Sequence, residues 1–146
     1  MTEETFTTND IRGTLTAGAS LDFAWSVGRA LSDWLPFDGS VAIMRHESAD
    51  DSLVKALVEG VRLQGRTVCD AHQGEPDNLQ ALITNGHYAG GVLVAVAPNT
   101  SEVTIELFNE EGKRVDSQTG LTDIEMMIES GNMTPSNAKG ELVVLA

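Results

Sequence analysis

At 146 residues, 41% of them hydrophobic, the chain has the size and apolar content of one domain with its own core, which excludes disorder along its whole length. Nine basic against 22 acidic residues give a formal charge of −13, and that excludes nucleic acid as a partner, because such binding needs clustered Lys and Arg to neutralise phosphates. No apolar run approaches the roughly 20 residues that cross a bilayer, the acidic start is wrong for a signal peptide, and the single Cys69 has no partner for an internal disulfide. A reducing, cytoplasmic setting with no membrane contact is the expectation.

The first helix signal begins at Ser20, with Asp22 in the first turn, and carries Ala24, Val27, Gly28, Leu31 and Leu35 at helical spacing before Pro36 stops it. Val41-Ala42-Ile43-Met44 is a short continuous apolar run, the pattern of a strand covered on both faces. Asp50, Asp51 and Ser52 open a second helix with an apolar face of Leu53, Val54, Leu57, Val58 and Val61, and Gly65 is placed to end it. Residues 66–70 predict a strand around Val68 and Cys69. Pro76 opens a third helix carrying Leu79, Leu82 and Ile83 up to Gly86.

Residues 91–97 predict the strongest strand. Val103, Ile105 and Leu107 alternate with Thr104 and Glu106, the period of a half-exposed strand. Too few residues separate those two strands for a crossover helix, so the second is expected antiparallel, at an edge. Asn109-Glu110-Glu111-Gly112 predicts a turn. Thr122 and Glu125 form a capping-box pattern for a fourth helix that Gly131 ends. The alternation of strand and helix predicts an α/β fold: a three-layer α/β/α domain with a mixed, mainly parallel sheet of about four strands. Residues 1–132 are expected to form that domain, with residues 133–146 as a mobile tail.

Three local matches sharpen the reading. Phe6-Thr7-Thr8-Asn9-Asp10-Ile11-Arg12-Gly13 resembles the aromatic-x-x-Tyr-Asp-Ile-Arg-Gly opening of bacterial phosphomannomutases. Gly90-Gly91 and the apolar run up to Ala97-Pro98-Asn99-Thr100 stand where the family has a Gly-Gly-apolar run ending in Thr-Ala-Ser-His-Asn-Pro. Residues 105–112 resemble the strand and turn that follow it. The chain is therefore similar to the first of four domains of the α-D-phosphohexomutases (phosphomannomutase/phosphoglucomutase), and a phosphoglucomutase first-domain-like fold is implied.

That resemblance implies an isomerase family that moves a phosphoryl group within a hexose phosphate, using a phosphoserine and a Mg²⁺ held mainly by another domain. Carried over residue by residue, it implies no catalytic residue here. Ala97 stands at the serine position and Pro98 at the histidine position. Glu106 takes the place of a lysine and Ser48 that of an arginine, while Arg45 is kept. The remnant phosphate loop would be Arg12, Gly13, Asn99 and Thr100. Arg12 has two readings, an anion ligand or a partner for one of many carboxylates. Thr100 and Ser101 are loop hydroxyls with no apparent base or metal to activate them.

His46, Glu47, His72 and Glu75 follow two of the predicted parallel strands, where imidazoles and carboxylates could converge on a transition metal or simply be surface groups. Trp25 and Trp34, nine residues apart on the first helix, are expected to pack. Two functions are open. One is a stand-alone, non-catalytic domain that binds, regulates or oligomerises, with a homo-oligomer or a protein as partner, weak phosphosugar binding at most, and no cofactor of its own. The alternative is a component of a phosphomannomutase/phosphoglucomutase-type enzyme completed by separately encoded domains.

Overall fold

The computed structural model describes residues 5–6, 10–14, 19–36, 38–46, 51–96 and 102–145, and within these the side chains other than those of 5, 6, 14, 19, 20 and 96. The elements are β1 (Thr5–Phe6), β2 (Ile11–Thr14), α1 (Ala19–Trp34), β3 (Val41–Arg45), α2 (Asp51–Leu63), β4 (Val68–Gln73), α3 (Pro76–Gly86), β5 (Gly90–Val96), β6 (Glu102–Phe108), α4 (Leu121–Ser130) and β7 (Leu142–Val144). Among the described residues the strands form one seven-stranded sheet in the order β1-β2-β6-β5-β3-β4-β7. β5, β3, β4 and β7 run parallel, while β6 is antiparallel to both of its neighbours, β5 and β2.

Each helix places its apolar stripe on the sheet. On one face, Ala24, Val27 and Leu31 of α1, Leu53, Val54, Leu57, Val58 and Val61 of α2, and Leu121 and Ile124 of α4 meet Val41, Ile43, Val92, Val94, Ile105 and Leu107. On the other, Leu79 and Ile83 of α3 meet Ala42, Met44, Leu93 and Phe108. The odd–even split along β3 follows from strand alternation and makes a three-layer α/β/α domain. Fully burying a side chain of this size stabilises by about 1.5–3 kcal/mol, so these two clusters account for the sheet's position between the helices.

α1 and α2 approach too closely for side chains at their crossing. A Cβ on Gly28 would overlap the carbonyl oxygen of Leu57, and one on Gly60 would overlap that of Trp25. The two glycines thus let backbone meet backbone.

Three expectations are corrected. The sheet has seven strands, not about four, because β1, β2 and β7 have two, four and three residues, too short to show a period. β6 is not an edge, since β2 covers its outer side from Ile11↔Ile105 to Thr14↔Glu102. The Thr122–Glu125 capping box does not form: Gly120 is the N-cap, Leu121 N donates to Asp116 O at 2.9 Å, and Thr122 Oγ1 donates to Ser117 O at 3.2 Å. Asp116 organises that helix start, its carboxylate accepting from the backbone of Gln118 and Thr119.

The stretch set apart as a tail is tied to the domain through residue 145. Ser136 N donates to Leu63 O, Gly140 N to Arg62 O at 2.8 Å, and Arg62 Nε back to Gly140 O at 2.9 Å. β7 then pairs with β4 as Val68↔Leu142, Cys69↔Val143 and Asp70↔Val144. Among the described residues no helix is long and apolar enough to cross a membrane.

Candidate functional site

β3, β4 and β5 end at the same side of the sheet, and the crevice beyond such ends is where α/β domains place ligands. β2 brings Arg12 to that side too, because Arg12 pairs with Thr104, and Thr104 pairs with Ala95 near the end of β5. Alternation then decides which face each group takes. Arg45 follows Met44 and shares the α2 face with Ile43, whereas Arg12, in line with Thr104 and Ala95, lies on the α3 face. The sheet stands between the two arginines.

The two arginines at this end, Arg12 and Arg45, are each met by a carboxylate. Arg12 grips Asp10 with two bonds, Nε to Oδ1 at 3.0 Å and an Nη to Oδ2 at 3.3 Å, while Asp10 itself is buried. That hydrogen bond and charge hold the guanidinium above its ordinary pKa, with Glu102 and Glu106 adding to the effect. Glu106 in turn lies 3.2 Å from an Nη of Arg114. Its Oε2 is buried and accepts no hydrogen bond among the described residues, so the cation is its compensation. Arg45 is shared by Asp51 and by Asp70, the latter at 3.3 Å, and Asp70 also accepts from His72 N at 2.9 Å.

The proposed metal residues are only partly brought together. His46 Nε2 lies 3.2 Å from Glu75 Oε1, joined across the strand ends. His72 points elsewhere: its Nε2 is 2.6 Å from Leu145 O, and the residue adopts a left-handed backbone with φ of 66°. Glu47, Ala97, Pro98, Asn99 and Thr100 lie outside the described residues. Gly13 is half-buried in β2 opposite Val103. Among the described residues no group of three or more His, Cys, Asp or Glu is arranged to hold a metal ion.

Both tryptophans are half-buried. Arg29 lies over the Trp25 ring, 4.8 Å from its centroid, and Trp34 packs against Gly120. Arg29 also donates to Gln64 and to the Met133 carbonyl, fixing residues 133–134 to the helix pair. Sequence reasoning missed Asp10, Asp51 and Asp70 as partners of the strand-end arginines, and Arg114 as the partner of Glu106 further along β6. Only Asp10 had a signal, since two residues before Arg12 in an extended segment is the same face.

Chemically, the described part of this rim can position and neutralise charge. It presents no nucleophile beside a base. The fold and this rim define a mixed-sheet, three-layer α/β domain with its site at the strand ends. No family model matches the chain. It is 27% identical over 133 residues to phosphomannomutase of Salmonella typhimurium, covering 90% of this chain and 29% of that protein. A phosphomannomutase sequence of Klebsiella pneumoniae is 28% identical over 131 residues, 89% of this chain and 83% of that sequence. A phosphoglucomutase/phosphomannomutase family structure from Burkholderia thailandensis superposes with a TM-score of 0.79 at 18% identity, over 94% of this chain and 32% of that one. A structure from Thermus thermophilus matches equally, TM-score 0.79 at 16% identity over 99% of this chain and 34% of that one. The chain is thus similar to phosphomannomutase/phosphoglucomutase proteins, and it spans about 29% of the length of the Salmonella one.

Proposed function

We infer that the chain is a phosphohexomutase first-domain-type module that does not transfer phosphoryl groups itself and acts by binding, as a regulatory or oligomerising unit. The observation that carries this reading is Glu106, which stands at the place of the family's lysine: its carboxylate adds negative charge around Arg12 and is itself met by Arg114 at 3.2 Å. Sequence supports it, with Ala97 at the place of the family's serine. Phosphoryl transfer rests on positioned cations around the moving group, and here the two arginines at the strand ends face carboxylates instead.

The test is a mutase assay of the chain and of Ala97→Ser with mannose and glucose phosphates and Mg²⁺, alongside ligand-observed NMR. The expected outcome is no turnover by either protein and no saturable phosphosugar binding at about 1 mM, an affinity of only about 4 kcal/mol. Turnover by Ala97→Ser, or phosphosugar binding that vanishes in Arg12→Ala, would overturn the reading. A second reading, a component of a phosphomannomutase/phosphoglucomutase-type enzyme with Mg²⁺ and sugar contacts supplied by other domains, is favoured by the match to a domain-sized share of the Salmonella relative. Mutase activity on adding those domains would decide for it.

A further inference from the structure

Beyond Met133 the chain is held by ties rather than by packing. Met133 is half-buried against the main core, and its carbonyl accepts from Arg29 at 2.9 Å. Among the described residues 134–145 only Gly140 is buried, and it has no side chain. Polar contacts hold the rest: Gln64 donates to Thr134 O, Ser136 N to Leu63 O, Lys139 meets Glu59 at 3.0 Å, and the His72 ring meets Leu145 O at 2.6 Å. β7 leaves Leu142, Val143 and Val144 exposed at 45%, 40% and 59%, so it adds backbone bonds to β4 with little apolar burial. Segments with few buried apolar contacts open at far lower cost than the whole fold.

What lies beneath is built differently. Val68 and Cys69 of β4 are buried. Val68 N donates to Glu141 O at 2.8 Å and Asp70 O accepts from Leu145 N at 2.9 Å, so the outer side of β4 is covered only by this last segment. Cys69 pairs with Ala42 of β3 on one side and with Val143 on the other. Its side chain therefore shares the α3 face with those two residues, where it hydrogen-bonds Tyr88. A Cβ on Gly140 would overlap the Arg66 carbonyl, which shows how directly the segment lies on the connection between α2 and β4.

We propose that residues 134–145 are a strap that swings off as one unit from Met133 while the core stays folded, baring the outer edge of β4 and the Cys69 thiol. Met133 is the pivot because it is the last residue held by both packing and a side-chain bond. A three-residue strand without apolar burial does not stay paired once the ties before and after it are released, so the segment moves together. Opening leaves the backbone groups of Val68 and Asp70 without their partners and removes Val143 from beside Cys69. The strap goes beyond the reading of a non-catalytic module and stands or falls without it.

Cys69 is the one cysteine of the chain, so its alkylation by iodoacetamide reads the open fraction. In the whole chain without denaturant, labelling should run at least about tenfold faster than global unfolding allows. It should also change little with urea up to the foot of the unfolding transition, because strap opening exposes little surface. Lys139→Ala and His72→Gly, the latter suited to the left-handed backbone at φ of 66°, each remove one tie and should speed labelling about threefold. Ile105→Val, in β6 across the sheet, weakens the whole fold but should leave the labelling rate as it is. Labelling that follows global unfolding in urea, that quickens in Ile105→Val, or that ignores both tie variants would overturn the proposal.

Discussion

The seam between α1 and α2 and the rim at the strand ends are built on opposite rules. The seam is backbone against backbone, with Gly28 and Gly60 admitting no side chain and Leu57, Val61 and Val27 filling what remains. The rim is side chain against side chain, long cations folded onto carboxylates at Arg12–Asp10 and Arg45–Asp70. Close packing tolerates little change, whereas partly exposed ion pairs are nearly interchangeable in stability. The fold is accordingly shared with solved structures at TM-scores of 0.79 although only 16–18% of residues are identical.

The contrast can be broken at three points. Gly60→Ala should have the largest effect. Elsewhere in a helix that exchange stabilises by up to about 1 kcal/mol, but here the new methyl overlaps the Trp25 carbonyl. A net loss of about 3 kcal/mol is expected, a fall in Tm of about 10 °C in a thermal melt. Any rise in Tm would show that the helices are not in backbone contact.

The middle case is the carboxylate that ties the last segment down. Burial pushes the Glu59 pKa up, but hydrogen bonds from Lys139 and Arg62 outweigh it and hold the group below its ordinary 4.5. A depressed carboxyl stabilises the folded state above its unfolded pKa and loses that contribution as pH falls through the lower folded value. Glu59→Gln should therefore lower Tm at pH 7, and the gap from wild type should close below about pH 4.5. A gap that stays constant into acid would mean the ion pairs do nothing.

Arg45→Ala should matter least. Asp51, one of its partners, is 77% exposed, and Asp70, the more buried one, still accepts from His72 N, so the loss should stay within about 1 kcal/mol in a denaturant titration. A larger loss would place the rim among the structural elements and erase the distinction.

Much of the interior was legible and little of the rim. All five residues expected on the α2 stripe are buried, because a helix that packs on a sheet must repeat its apolar residues every three or four positions. β2 was not legible, since Ile-Arg-Gly-Thr has one apolar residue and its burial comes from β6 beneath it. β7 was not legible either: its place depends on Arg62, which holds Gly140, and on His72, both distant in sequence. At the rim, Arg45 and Asp70 are 25 residues apart and meet only because β3 and β4 are neighbours. The chemistry of such pairs belongs to topology, and no local pattern announces it.

The strand order has a mechanical consequence. Thr5 lies in one edge strand and Leu145 adjoins the other, so the ends of the described chain are separated by six strand spacings, about 29 Å at 4.8 Å each. A pull between these points runs across the strands, along the hydrogen bonds of the sheet. Bonds loaded that way open one pair at a time, like a zipper, rather than resisting together in shear. The sheet should yield from its two short margins inward, with β1 and β7 peeling away while the helix-covered centre of β5, β3 and β4 still holds.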